Sequence, residues 1–232
     1  MHCGSSPLEL ACPAGGPSFV ANTRGMKKSD TGSTILRAVA RARAAILSAA
    51  VTYAVSVTFG LVLAHTGNGV ALAQGNRIVG TAQTNDASAM AYNRGQLVRA
   101  ACLDWSGNLR GAVVDTVLGM GVVMPYPMIA YRGWVGGIVS VEHDGTSRLA
   151  KPLRAAYYFL TLILQLTGYS LAAGAGINLG VALFRPRPFY QGSKWLGSIP
   201  HEAVRDVLRI YTVVIPLFGL ASFWEFLSPW NR

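Results

Sequence analysis

Apolar residues gather in five segments, 44–64, 111–124, 128–141, 154–184 and 210–227, separated by stretches rich in glycine, proline and arginine. A bilayer span needs ~20 consecutive apolar residues, so this pattern predicts an all-α, polytopic transmembrane bundle of about five hydrophobic helices. Residues 44–64 follow Arg37, Arg41 and Arg43. They compete with a secretory reading of residues 26–73, in which Ala71-Leu72-Ala73 would be the cleavage site. The apolar core exceeds the ~7–15 residues of a signal peptide, so a membrane helix is preferred. Residues 66–110 alternate small, polar and basic side chains, which predicts one or two amphipathic helices near the interface.

Proline and glycine punctuate the remaining segments. Pro125 and Pro127 divide 111–124 from 128–141, predicting a hairpin or sharp kink between two pieces that are each short for a span. Residues 154–184 are too long for one straight helix across ~30 Å of hydrocarbon. Their polar interruption at 165–170 predicts a break at Gly168 or a strong tilt. Small residues at 172–180 are spaced for close helix contact. A basic loop, 185–209, leads to the last segment. Within it, Pro200 followed by His201-Glu202 suits the first turn of a helix, where Glu complements the dipole.

Composition sharpens the picture. The 232 residues are 51% hydrophobic and only 13% charged, against roughly a quarter charged in soluble domains, and the mean hydropathy is +0.36. The net charge of +10 comes from basic residues scattered between apolar segments. That is the arrangement of loops flanking membrane spans, and it argues against nucleic acid as a partner. Tyr126, Tyr131, Trp134, Tyr157, Tyr158, Trp224 and Trp230 lie near segment ends, where the membrane interface favours aromatics. Loop charge favours an amino end on the inner side of the cell membrane. The expected organisation is a basic, disordered leader over 1–43, starting at Met1 or Met26, a helical membrane domain over 44–229 and a short tail over 230–232. Cys3, Cys12 and Cys102 form no disulfide or zinc pattern.

Ionisable residues inside apolar segments are the natural functional candidates, because burying one at mid-bilayer costs ~2.5–3.5 kcal/mol even on the lenient insertion scale. Asp115, Arg132 and Glu225 qualify. Arg132 pairing with Glu225 or Asp115 would pin the proline hairpin to the terminal helix. Alternatively each carboxylate lies about a turn from a helix end and reaches headgroups or water, the reading preferred for Asp115. Asn108 has the position of an N-cap. His143-Asp144 and His201-Glu202 are adjacent pairs, whose side chains diverge and hold no metal. There is no phosphate loop or nucleophile elbow. No enzymatic activity, metal or cofactor is therefore expected.

The residues also carry a family resemblance. Gly107-Asn108-Leu109-Arg110 before a glycine-rich helix resembles the Asn-Asn helix start of the stage II sporulation protein M family, and Arg132-Gly133-Trp134-Val135-Gly136-Gly137 resembles that family's Asn-Gly-x-x-x-Gly helix. Residues 214–229, VIPLFGLASFWEFLSP, are similar to its terminal helix with a Pro-Leu start, an Ala-x-x-x-Glu core and a closing proline, here Pro229. The likeness covers roughly residues 44–229. Its motif positions are Asn108, Gly133, Gly137, Gly168 and Pro229. Arg132 replaces an asparagine, and the Pro-His-Gly-x-x-Glu motif falls on 166–171, where Gly168 alone is kept. Arg185-Pro186-Arg187-Pro188 is similar to the Arg-Pro element of membrane phosphatidic-acid-type phosphatases, but the other parts of that site are missing. The resemblance to the sporulation family implies a multi-pass, non-catalytic scaffold or partner-docking subunit of a membrane complex. Its expected partners are the lipid bilayer, other membrane or envelope proteins and a further copy of itself. A permease-like subunit of a transport system is the alternative.

Overall fold

The computed structural model describes residues 31–142, 144–185, 190, 194–195 and 199–229. Among the described residues the chain is all-α apart from one small hairpin and an isolated bridge between Val141 and Ser147. Its helices are α1 (Thr31–His65), α2 (Gly69–Asn85), α3 (Ala87–Asn93), α4 (Leu97–Gly119), α5 (Pro125–Ile138), α6 (Pro152–Phe184) and α7 (His201–Leu227). Strands β1 (Lys194–Trp195) and β2 (Ile199–Pro200) pair antiparallel just before α7.

α1 is apolar on both its buried and its exposed sides. Its buried positions Ala38, Ala42, Ala49, Tyr53, Val57 and Ala64 recur at helical spacing and form one stripe. The opposite face, Leu47, Val51, Val55, Phe59 and Val62, is exposed and equally apolar. A helix in water would place polar side chains there. α1 from Thr34 to His65, together with α6 and α7, is long and apolar enough to cross a membrane. α4 and α5 are not. α4 carries Arg99, Asp104, Arg110 and Asp115 along its 23 residues, and α5, with 14 residues, is only about 21 Å long. Three of the five expected segments thus meet the requirement for a span.

α6 is the central helix, packed by α1, α4, α5 and α7. Every residue from 168 to 180 is buried, because small side chains let neighbouring backbones come into contact. A Cβ on Gly119 of α4 would lie 2.7 Å from the Gly176 backbone, and one on Gly133 of α5 would lie 2.6 Å from the Tyr53 carbonyl of α1. Gly137 likewise rests on the Val57 carbonyl.

Several expectations change with the structure. α1 begins at Thr31, so residues 31–43, read as leader, are helical and contribute Ala38 and Ala42 to the core. Residues 1–30 and the tail 230–232 lie outside the described residues. α6 runs unbroken through Gly168, whose missing side chain makes room for the Phe218 ring, 2.7 Å from an ideal Cβ. Tertiary packing, not a kink, accounts for that glycine. Residues 201–209, read as loop, form the first turns of α7, and Glu202 does sit in its first turn as expected. Residues 66–110 become α2, α3 and the first half of α4. Asn68 caps α2 by accepting from the Val70 and Ala71 amides, and Asp86 caps α3 through Ser88 and Ala89. The break before Pro125 is real, and Pro125 occupies the first turn of α5. In the turn Val122 adopts φ 62°, a left-handed conformation costly for a β-branched residue.

Candidate functional site

A cleft of ≈ 440 Å³ opens where the carboxyl end of α7 meets the amino half of α6, with α5 and Tyr53 of α1 closing the sides. Its polar lining comes from Arg132 on α5, Arg148 in the α5–α6 loop, Gln165 and Tyr169 on α6, Asn108 on α4 and Glu225 on α7. α6 switches here from glycine and alanine to tyrosine, threonine and glutamine, and Tyr157, Tyr158, Thr161, Gln165 and Tyr169 reach into this space.

Arg132 takes Asp115, not Glu225, as its ion-pair partner: Nε lies 3.4 Å from Oδ2. The Asp115 side chain is 0% exposed, so it does not reach headgroups or water as preferred from the sequence. Its burial is tolerable because the guanidinium of the next helix stands beside it. The same guanidinium lies 4.2 Å from the centre of the Tyr169 ring, a stacking that fixes its plane. Glu225 lines the cleft, and Gln165 Nε2 donates to its Oε2 at 3.3 Å. Its backbone carbonyl accepts from the Tyr157 hydroxyl at 2.7 Å, tying α6 to the end of α7. Arg148 pairs with Glu142 at 3.6 Å.

Asn108 is not an N-cap. It sits three turns inside α4, donates to Asp104 Oδ2 at 2.8 Å and accepts from the Tyr169 hydroxyl at 2.6 Å. Ser222 of α7 donates to the same Asp104 oxygen at 2.6 Å. A polar chain thus links α7 and α4 to α6 and reaches Arg132 through the Tyr169 ring. Asp104 and Ser222 escaped the sequence reading, although Asp104 stands four residues before Asn108, at helical spacing. Gly133, Gly137 and Gly168 serve helix contact, against the Tyr53 carbonyl, the Val57 carbonyl and the Phe218 ring respectively. Pro229 follows the end of α7 by two residues, where it blocks continuation of the helix.

A second charged cluster also went unread. Asp206, 1% exposed, accepts from Arg41 of α1 at 2.5 Å and from Arg209 at 2.9 Å. Glu202 accepts from Arg209 at 2.5 Å and lies 3.7 Å from Arg205. The Tyr190 hydroxyl donates to Asp206 Oδ2 at 3.1 Å and accepts from Asn178 at 2.7 Å. Burial, chiefly, pushes that phenol up to about 12, so it remains a donor at neutral pH. Periodicity could not show this cluster, because Arg41 and Asp206 are 165 residues apart. His143 and the Arg-Pro stretch 186–188 lie outside the described residues. No family model, curated protein or solved structure matches the chain.

Proposed function

We propose that this chain is a non-catalytic, multi-pass subunit of the cell membrane that docks partner proteins, as its resemblance to the stage II sporulation protein M family implies. The observation that supports this reading most is the combination of lipid-ready outer faces with ionisable groups engaged between helices. α1 and α7 expose Leu47, Val55, Phe59, Leu208, Ile215 and Leu220. Asp115 and Asp206 face guanidinium groups of neighbouring helices. In this reading α4 and α5 complete the bundle inside the bilayer, α5 as a half-length helix held by its glycine contacts with α1. The amino ends of α1 and α7, which meet through Arg41 and Asp206, also carry Arg37, Arg43, Arg205 and Arg209. By the positive-inside tendency that end faces the cytoplasm.

The test is to solubilise tagged protein from its native membrane and identify co-purifying proteins for wild type, Arg132→Ala and Glu225→Ala. A membrane or envelope partner recovered with wild type and lost from folded variants supports docking. Partner-free protein that moves solute across proteoliposomes would replace it with the permease reading. That second reading is favoured by one observation: a proline-led half-helix bordering a charged cleft, an arrangement that transporters use for substrate.

A further inference from the structure

The charged cleft does not end at its polar wall. Tyr53 and Leu162 also line a mostly apolar groove of ≈ 170 Å³ between α1 and α6, whose other residues, such as Ala54, Val57, Phe159 and Ile163, are apolar except for Thr58. Phe159 and Ile163 are exposed at its mouth, on faces that meet acyl chains when α1 and α6 cross a membrane. A polar chamber and an apolar channel therefore share a wall, which is the division of chemistry found in an amphiphile.

The lining selects among amphiphiles. It holds two guanidinium groups, Arg132 and Arg148, and one carboxyl group, Glu225. Each arginine approaches its protein carboxylate through Nε, at 3.4 Å to Asp115 and 3.6 Å to Glu142. Their terminal nitrogens are not the atoms of those closest contacts, those of Arg132 resting beside Gly111 of α4, and guanidinium forks suit phosphate oxygens. A purely anionic headgroup would meet Glu225, and a purely cationic one would meet both arginines. A headgroup carrying phosphate and amine satisfies both signs. The chamber falls within the ~300–1,000 Å³ of ordinary small-molecule sites.

We propose that the cleft and groove together bind a phospholipid of the phosphoethanolamine class, with the phosphate at Arg132 and Arg148, the amine at Glu225 and Gln165, and one acyl chain along the groove. The site rests on the membrane reading of α1 and α6 and is independent of partner docking. A soluble phosphoethanolamine ester shares the headgroup chemistry but has no chain for the groove.

The full chain, delipidated in detergent, is titrated with phosphatidylethanolamine, phosphatidylglycerol and soluble glycerophosphoethanolamine, and bound ligand is counted by native mass spectrometry. Wild type is expected to prefer phosphatidylethanolamine over phosphatidylglycerol by about tenfold or more, the scale of one charge-assisted contact. Glu225→Gln should erase that preference, and Arg148→Gln should weaken both lipids. Ala54→Trp should fill the groove and weaken the lipids while leaving the soluble ester unchanged. Equal binding of both lipids by wild type, or indifference to Arg148→Gln, overturns the proposal. So does a soluble ester that binds as tightly as the lipid, since the site would then serve a free solute. Each of these results leaves partner recovery from native membranes untouched, so the docking and lipid readings fail separately.

Discussion

Two groups of arginines and carboxylates lie in this bundle, and they are built to different ends. At the amino ends of α1 and α7, Asp206 accepts two guanidinium hydrogen bonds and one phenol hydrogen bond, and Glu202 accepts from Arg209. In the cleft, Asp115 pairs with Arg132 at 3.4 Å yet accepts no hydrogen bond among the described residues, while Arg148 and Glu225 border ≈ 440 Å³ of space. The first cluster uses charge to lock helices together, with the buried Asp206 carboxylate engaged by three donors. The second places Arg132, Arg148 and Glu225 on the wall of a cavity. Charge inside an apolar helical bundle is therefore not by itself the mark of a functional site. The informative feature is whether the charged group still faces space.

The sharpest way to break this contrast is Asp206→Ala, which removes the buried acceptor shared by Arg41, Arg209 and Tyr190 and leaves both arginines with Glu202 as their carboxylate. It is expected to destabilise the protein by about 3–5 kcal/mol, read as a lowered unfolding temperature in detergent, with Asp206→Asn recovering part of the loss. A change no larger than that of a cleft variant would erase the distinction. Next comes Gly176→Val, whose Cβ would overlap the Thr116 backbone. Forcing α4 away from α6 should cost about 3 kcal/mol by denaturant unfolding, at the upper end of ordinary overpacking. A smaller effect is expected outside the three helices long enough to span, at the α3 cap. Burial tends to raise the Asp86 carboxyl, but hydrogen bonds from the Ser88 hydroxyl and the Ser88 and Ala89 amides outweigh it and hold the group below its ordinary value. A depressed folded value means that the cap stabilises α3 above the unfolded value of ~3.9 and is lost as pH falls through the lower folded one. Asp86→Ala should cost about 1 kcal/mol at neutral pH. It should also remove the acid dependence of amide exchange in α3. The smallest effect belongs to Glu225→Gln, expected within about 0.5 kcal/mol of wild type by the same unfolding measurement. It keeps a polar group of the same size beside Gln165 and the cleft.

Much of the fold was legible because the helices long and apolar enough to cross a membrane carry apolar side chains on their outer as well as their inner faces. Exposed Leu47, Val51 and Phe59 read as clearly as buried Tyr53, so hydropathy located α1, α6 and α7. Proline placed the break before α5. Gly168 misled for a physical reason: a glycine in a long apolar run looks like a hinge, yet here it is the seat of the Phe218 ring. Asn108 misled similarly, since local sequence cannot distinguish a cap from a side chain facing Asp104 and Tyr169 inside a longer helix.

The sequence by itself determined that this chain is helical, apolar enough for a membrane and burdened with a few costly charges, because those properties are local and additive along the chain. Only the tertiary structure decided that Arg132 joins Asp115, that Arg41 joins Asp206, and that Glu225 faces a cleft with Arg148. Partner choice depends on how α1, α4, α5, α6 and α7 cross, and their crossings are set by backbone contact at glycines such as Gly119, Gly133 and Gly176. A residue's type records what it can bind, whereas the packing of the neighbouring helices decides what stands within its reach.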